Sequence, residues 1–184
     1  MNILVITAGA PADSFSAALA ERYVNGVQAG CHARVTWADL RAEGFDPRMT
    51  AADLDFYRGR GLLPGDVRRE QLRVEAADLV VLAFPIYWWA MPALAKGWID
   101  RVFTKGWAFG AAGPHAYDEH GYRTAISTQI EHGVLYYSGV SDLRTHLFLD
   151  VESGDEDARH RNLSDAYGFG LSLAATGAGT SPAR

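Results

Sequence analysis

A chain of 184 residues is long enough to bury one sizeable core, and its length favours a single domain. The 17 Lys and Arg against 22 Asp and Glu give a formal net charge of −5, which argues against a nucleic-acid-binding protein. The one cysteine, Cys31, excludes an internal disulfide framework and a paired redox motif, so redox chemistry here needs a bound cofactor.

Signals for targeting and for metal binding are absent from the sequence. No apolar stretch approaches the roughly 20 residues of a membrane span, and no basic segment precedes the first apolar run, so we expect a cytoplasmic protein. His115, His120 and His132 do not share one helical face, so we expect no metal site.

Apolar runs and helical spacing predict strands that alternate with helices along the whole chain. The predicted strands are residues 3–6, 34–37, 79–84 and 143–151. The predicted helices are residues 15–29, 66–77, 92–103, 123–138 and 155–174. Residues 41–65 are rich in Gly, Pro and charge, and we expect a packed but irregular excursion there.

This alternation predicts the α/β class: an open parallel sheet with right-handed crossovers and helices on both faces. We expect one domain over residues 1–174 and a flexible tail over residues 175–184, which are poor in apolar side chains. Trp98, Phe103 and Trp107 are expected in the core or in dimer packing.

The most informative segment follows the third predicted strand. That strand stops at Pro85, the aromatic residues Tyr87, Trp88 and Trp89 follow at once, and Pro92 opens the next helix. In an open parallel sheet, ligands bind at the carboxyl ends of the strands. Flat rings there suit a flat ligand with a polar edge, such as a flavin. Because adjacent side chains cannot both point into one sheet face, at least one tryptophan is expected to face a cavity or a partner.

The turn after the first strand is the second candidate site. It has neither the GxGxxG pattern of a dinucleotide-binding fold nor the GK[ST] of a P-loop. Ser14 and Ser16 lie instead at a helix N-terminus, where amides and hydroxyls can hold a phosphate. A serine at this position is more often a helix cap alone, so the turn by itself is weak support for a phosphate site.

Together these residues carry a resemblance to a known family. Residues 14–16 read SFS, residues 84–89 read FPIYWW, residues 92–103 read PALAKGWIDRVF and residues 106–110 read GWAFG. The chain resembles the flavodoxin-like NAD(P)H:quinone oxidoreductases, which include DT-diaphorase, the modulators of drug activity and the ancillary flavoproteins of potassium-efflux systems. The resemblance covers about residues 1–174, and its most specific part is residues 85–109.

The resemblance implies a flavodoxin-like fold that binds FMN or FAD, with NAD(P)H as the hydride donor. The implied cofactor-binding residues are Ser14, Phe15, Ser16, Pro85, Ile86, Tyr87 and Trp88. The implied substrate-binding residues are Trp88, Trp89 and Tyr117, and Tyr117 is also the candidate catalytic proton donor.

The implied reaction is a two-electron reduction of a quinone or similar acceptor through a ping-pong hydride transfer. A homodimer is also implied, with the pocket completed by the second subunit. The aromatic-rich helix at residues 92–103 and the excursion at residues 41–65 carry more large apolar side chains than a small domain needs on its surface. The alternative is a weakly catalytic or non-catalytic flavodoxin-like subunit that regulates a partner protein.

Two departures from the family pattern bear on these expectations. The first turn reads Gly9-Ala10-Pro11 where the family usually has a histidine, so one phosphate contact is lost and FMN is slightly favoured over FAD. After Gly110, a strand with its loops, roughly 15–20 residues, is missing, so the sheet is expected to lack its usual fourth strand. A register in which residues 124–130 supply that strand fits the family less well than a helix there.

Overall fold

The computed structural model describes residues 1–9, 11, 13–30, 32–108, 117, 119–140, 145, 147–148 and 155–175. The backbone divides into two compact units, Met1–Ala111 and Ala112–Arg184. The expectation of one domain over residues 1–174 followed by a flexible tail stays a prediction.

The first unit is built on a three-stranded parallel sheet with the order β2-β1-β3. β1 spans Asn2–Thr7, β2 spans Arg34–Asp39 and β3 spans Leu79–Ala83. β1 pairs with both of the other strands. The three strands predicted in this half of the chain are confirmed, and so is the parallel α/β class.

The described helices of the first unit are α1 (Phe15–Gly30), α2 (Ala51–Tyr57), α3 (Gly65–Glu75) and α4 (Ala93–Val102). α1, α3 and α4 lie where helical spacing predicts them. α2 lies inside the excursion that is expected to be irregular, so that expectation is wrong there. The helix begins with a capping box, because Thr50 Oγ1 accepts the Asp53 amide at 3.2 Å and the Asp53 carboxylate accepts the Thr50 amide at 2.7 Å.

The core of the first unit lies on both faces of β1. Leu4 and Ile6 belong to a buried cluster with side chains of α4, and Ile3 and Val5 belong to a second cluster with side chains of α1. Successive side chains of a strand point to opposite faces, so a continuous apolar run can bury both. The helices therefore cover both faces of the central strand, as predicted.

The second unit contains a helix of mixed type. α5 spans Tyr122–Ile126 and continues as a π-helix, π1, over Ser127–Tyr136. The helix is closed at Gly139, whose φ is +91° and whose amide donates to the Tyr136 carbonyl at 2.9 Å. The predicted helix is confirmed in position, and the register that would make residues 124–130 a strand is wrong. The wider π turns are not predicted by the sequence, and nothing in the described contacts explains them.

The last described helix, α6, spans Glu156–Ala175, close to its predicted bounds. The Asp155 carboxylate accepts the Asp157 amide at 2.9 Å at the helix start, where negative charge is favourable. Most of the strand predicted at residues 143–151 lies outside the described residues, and those that are described lie in no strand or helix. Within the described part of the chain the sheet has three strands.

Candidate functional site at the edge of the sheet

Two loops of the first unit leave the sheet at the same edge. β1 and β3 are parallel neighbours in which Thr7 pairs with Ala83, so their carboxyl ends lie side by side. The chain passes from β1 to β2 on one side and then crosses over to β3 on the other side. The order of the strands therefore reverses between β1 and β3, and open α/β sheets bind ligands at the carboxyl ends beside such a reversal.

The loop after β3 folds into a tight turn at residues 87–90. The Tyr87 amide donates to the Ala90 carbonyl and the Ala90 amide donates to the Tyr87 carbonyl, each at 2.9 Å. The two central residues, Trp88 and Trp89, have φ values of +47° and +64°. Glycine and asparagine favour this left-handed region, and bulky side chains are strained there. Strain of this kind persists only where the surrounding structure holds it, and it concentrates at functional sites.

The strained turn displays its aromatic rings at the surface. Trp88 is 58% exposed and Trp89 is 60% exposed, and the neighbouring Ile86 and Tyr87 are 66% and 50% exposed. Neither tryptophan is therefore a core residue. Because burying aromatic surface against another ring is favourable, this group of side chains is suited to stack on a flat ligand.

Gly9, two residues beyond the end of β1, contacts the loop that follows β3. The Tyr87 hydroxyl donates to the Gly9 carbonyl at 3.3 Å. The φ of Gly9 is +86°, and a Cβ added there would lie 2.7 Å from Pro92 Cβ. No side chain fits this position unless Pro92 shifts, because an added Cβ would collide with the proline ring. Sequence alone shows the missing histidine but not this contact, which joins residues far apart in the chain.

The loop after β1 leads into the N-terminus of α1. Ser14 Oγ accepts the Ala17 amide at 3.2 Å, which is the hydrogen bond of a helix N-cap. Ser14 and Ser16 are half-buried, whereas Phe15 is 78% exposed. Ser14 therefore has the common capping role, and the positive end of the 16-residue helix still favours an anion beside it.

The residues at this sheet edge fit a flavin. Exposed rings at Trp88 and Trp89 offer an apolar flat surface to an isoalloxazine. The N-terminus of α1 follows the neighbouring strand and offers its positive end to a phosphate. The structure brings Pro85, Ile86, Tyr87 and Trp88 together in one loop and joins that loop to the first turn through Gly9. The individual roles of these residues stay predictions.

Tyr117, the candidate proton donor, belongs to the second unit. Its half-buried ring meets the Tyr122 ring edge-on, with centroids 6.2 Å apart and planes at 87°. His120 also contacts Tyr122, at a centroid distance of 5.4 Å. The structure therefore places Tyr117 in an aromatic group, and its catalytic and substrate-binding roles stay predictions.

α4, the helix that follows the aromatic turn, is anchored by a buried arginine. Arg101 pairs with both oxygens of Asp53 at 3.0 and 3.2 Å, and it also donates to Asp66 at 2.7 Å and to the Asp46 carbonyl at 2.8 Å. Arg101 and Asp53 are only 3% and 5% exposed. Burial raises the pKa of Asp53, but hydrogen bonds from Arg101 and Thr50 outweigh it, so the net pKa lies below its usual value. This network, which the sequence does not reveal, holds the excursion against α4.

Two further properties concern only the described residues. Among them, no group of three or more His, Cys, Asp or Glu side chains is placed to bind a metal ion. None of the described helices is long and apolar enough to cross a membrane.

Comparison with known proteins identifies the fold family. A family model described as Flavodoxin-like fold matches residues 1–114. This chain belongs to that flavodoxin-like family. Flavodoxin itself is a standard example of a sheet that binds its ligand where the strand order reverses, with FMN between β1 and β3.

The flavodoxin-like chain is similar to curated oxidoreductases. Ribosyldihydronicotinamide dehydrogenase (quinone) of Pongo abelii is 35% identical over 130 positions, which cover 61% of this chain and 55% of the relative. An uncharacterized NAD(P)H oxidoreductase of Haemophilus influenzae is 26% identical over 181 positions, covering 86% of this chain and 89% of the relative. The resemblance to NAD(P)H:quinone oxidoreductases is thereby confirmed.

The comparison with the Pongo abelii enzyme also concerns length. The flavodoxin-like chain spans about half the length of this relative. The alignment has 130 positions and covers 61% of this chain, which is fewer than 130 residues. Some aligned residues of the relative therefore have no counterpart in this chain. This difference agrees with a missing segment in the flavodoxin-like chain.

A solved structure supports the flavodoxin-like fold. An NAD(P)H:quinone oxidoreductase from Methanothermobacter marburgensis superposes with a TM-score of 0.57 at 22% identity. The superposition covers 90% of this chain and 95% of that chain.

Proposed function

We propose that this chain is a flavin-dependent oxidoreductase that passes two electrons from NAD(P)H to a quinone or a similar acceptor. The observation that carries the proposal is the exposed, strained Trp88-Trp89 turn at the β1/β3 edge of the sheet. A conformation this unfavourable for tryptophan is held in place by two backbone hydrogen bonds between Tyr87 and Ala90. The names of the curated relatives, which are quinone and NAD(P)H oxidoreductases, point to the same chemistry.

Each group of residues has a part in the proposed reaction. The backbone of residues 85–88 holds the polar edge of the flavin, and Ser14, Phe15 and Ser16 hold its phosphate. A bound flavin would supply the two-electron hydride chemistry of a ping-pong reaction between NAD(P)H and the acceptor. Trp88 and Trp89 orient each flat ligand and exclude water from the reacting faces. Tyr117 donates a proton to the acceptor oxygen.

FMN is the flavin that the first turn supports better. The N-terminus of α1 favours a phosphate whichever flavin carries it. FAD needs further contacts for its adenylate half, and Gly9 leaves no room for the imidazole that the family uses, because Pro92 lies 2.7 Å from the position of a Cβ. Heat release of the bound flavin followed by chromatography identifies it, and recovery of FAD alone would overturn this choice.

The test of the proposed function begins with the colour of the purified protein. A flavin absorbance close to one equivalent per chain, together with NAD(P)H oxidation that depends on a quinone, supports the enzyme. Parallel lines in double-reciprocal plots are expected from ping-pong kinetics. A colourless protein that takes up neither FMN nor FAD would reject the enzyme and support the alternative, a flavodoxin-like subunit that regulates a partner.

A homodimer is part of the proposal, and the surface between α2 and α4 supports it. A cavity of about 280 Å³ lies there, lined largely by apolar side chains that include Phe56, Ile99 and Phe103. Met49, which lines this cavity, is 44% exposed. Leu62, which directly precedes the lining residue Leu63 in the sequence, is 90% exposed. Trp98, by contrast, is 1% exposed and belongs to the core. Light scattering at micromolar concentration tests the dimer, and a flavin-loaded monomer would contradict it.

A cytoplasmic location also belongs to the proposal. The single cysteine leaves the chain without an internal disulfide, as is common in reducing compartments. Fractionation of cells that express the tagged full chain tests this location.

A further inference from the structure

We propose that Tyr87 is a positioning residue, whose hydroxyl anchors the strained Trp88-Trp89 turn to Gly9 and so keeps the turn in the geometry that binds the flavin. The inference rests on the proposed function, because it concerns the same edge of the sheet. The role predicted for Tyr87 there is a contact of its backbone with the flavin. The present inference assigns a separate role to its side chain.

The turn at residues 87–90 is unfavourable by itself. Trp88 and Trp89 have φ values of +47° and +64°, in the left-handed region that bulky side chains rarely adopt. Two backbone hydrogen bonds join Tyr87 and Ala90, but an isolated hairpin is at best marginally stable in water. Both tryptophan rings are more than half exposed, so their burial within the chain gives the turn little support. A strained conformation of this kind needs surrounding contacts that hold it.

Gly9 contacts the chain on both sides of the turn. Before the turn, the Tyr87 hydroxyl donates to the Gly9 carbonyl at 3.3 Å. After it, the Pro92 ring lies so close to Gly9 that an added Cβ would be 2.7 Å from Pro92 Cβ and 2.8 Å from Pro92 Cγ. Because both flanks of the turn meet the same residue, the turn can open only if the hydroxyl contact breaks or Pro92 moves away.

Gly9 is a firm anchor because it follows the buried sheet directly. The Ala8 amide donates to the Ala83 carbonyl at 3.2 Å, which continues the hydrogen bonding between β1 and β3. Ala8 is only 4% exposed. The φ of Gly9 is +86°, which glycine adopts without strain. The Tyr87 hydroxyl therefore ties the exposed turn to the end of the central strand.

The hydroxyl contact is the part of this anchor that a substitution can remove cleanly. The hydrogen bond is long and exposed, so its net contribution belongs at the lower end of the range for hydrogen bonds in proteins. A turn that is already formed spares the ligand the cost of ordering it. Loss of the hydroxyl should therefore weaken flavin binding by about two- to fivefold and leave the rest of the fold unchanged.

Tyr87→Phe tests this role, because it removes the hydroxyl and keeps the ring. Tyr23→Phe, the same change at a tyrosine of α1 that is 49% exposed, is the matched control. In the flavin-free full chain, hydrogen exchange of the Ala90 amide should be about two- to fivefold faster in Tyr87→Phe than in the parent or the control. Exchange of the Val5 amide, in the middle of β1, should be the same in all three proteins. Titrations with FMN and with FAD should give a dissociation constant about two- to fivefold higher for Tyr87→Phe alone.

The inference is overturned if the Ala90 amide exchanges equally fast in Tyr87→Phe and the parent, or if the flavin dissociation constant does not change. Faster exchange of both Ala90 and Val5 would also reject it, because the hydroxyl would then stabilise the whole fold and not the turn. A parent chain that binds neither FMN nor FAD would reject the proposed function and the flavin-binding role of the turn with it. Ala90 exchange would still show whether the hydroxyl holds the turn, so the two conclusions can fail separately.

Discussion

At the residue scale, Ser14 has two roles that one substitution can separate. Its Oγ caps α1 by accepting the Ala17 amide at 3.2 Å, and it also lies where we propose the flavin phosphate binds. Aspartate is an equally good N-cap, so Ser14→Asp should leave the free energy of unfolding within about 0.5 kcal/mol of the parent. The new carboxylate should repel the phosphate and remove the flavin.

Flavin absorbance per chain and thermal melting of the apoprotein together measure the two effects of Ser14→Asp. Ser14→Ala is the matched comparison: it removes the cap without adding charge, so it should lower stability by about 1 kcal/mol and keep more flavin than the aspartate variant. Full flavin occupancy in Ser14→Asp would show that the phosphate binds elsewhere.

The second residue-scale prediction concerns Trp88. Its ring is 58% exposed and its φ is +47°, so removing the ring should cost little stability. Trp88→Ala keeps the backbone strain and Trp88→Gly relieves it, so the glycine variant should be more stable than the alanine variant by about 1 kcal/mol. Both lose the stacking surface and should weaken binding of the acceptor by about 1–3 kcal/mol.

Thermal melting and steady-state kinetics on the two Trp88 variants show whether the ring contributes to acceptor binding or to stability. The decisive ratio is activity per folded molecule, which should fall equally in both variants. A collapse of the melting temperature with normal residual activity would instead make the ring a structural residue.

At the element scale, replacing a helical glycine by alanine should have opposite effects on stability in α4 and in α1. A Cβ added at Gly97 in α4 would lie 2.3 Å from Pro47 Cβ and from the Pro47 carbonyl oxygen, whereas a Cβ at Gly26 in α1 would meet no atom within 4 Å. Gly97→Ala should therefore push α4 away from the excursion and cost about 1–3 kcal/mol. Gly26→Ala should stabilise α1 by roughly 0.5–1 kcal/mol, because glycine is unfavourable in a helix interior. Chemical denaturation of both variants measures the difference, and equal effects would contradict the close contact at Pro47.

The sequence predicts a helix or strand where a local pattern determines it, and fails where contacts between distant residues determine it. β1, β3 and α4 follow from apolar runs, Pro85 and Pro92, all of which act within a few residues. α2 was obscured by the surrounding Gly and Pro, although Thr50 and Asp53 form its capping box. Helical spacing predicts α1 but not the side chains that it buries: Phe15 and Leu19 are 78% and 54% exposed, whereas Ala20 and Val24 are buried.

The same distinction holds for the candidate site. The aromatic run and the serine-bearing turn are visible in the sequence, because each is a local motif beside a predicted strand. The left-handed backbone of Trp88 and the contact of Gly9 with Pro92 are not visible, since both depend on how two loops meet at the sheet edge. The sequence therefore predicts where the candidate site lies, and the structure adds the backbone strain and the close packing at that sheet edge.

At the scale of the whole molecule, the carboxylates that anchor the excursion should control acid stability. The folded pKa of Asp53 lies below its unfolded value, so its contribution to stability is complete above the unfolded pKa, about 4, and is lost as the pH falls through the folded pKa. Asp53→Asn should therefore lower stability at neutral pH and flatten its fall below about pH 4. Arg101→Met should cost about 3–5 kcal/mol at neutral pH, because it leaves the buried Asp53 charge uncompensated.

Salt dependence separates this buried pair from a surface pair on the same excursion. Arg48 also holds the pKa of Asp46 below its usual range through hydrogen bonds, but the Arg48 side chain is 85% exposed, against 2% for Arg101. Added salt screens exposed charges far more than buried ones. The stability difference between the parent and Asp53→Asn should therefore persist at about 1 M salt, whereas that for Asp46→Asn should shrink towards zero. Denaturation midpoints from pH 3 to 7 at low and high salt measure both differences, and an Asp53 effect that disappears with salt would show that the excursion is held to α4 by contacts other than this ion pair.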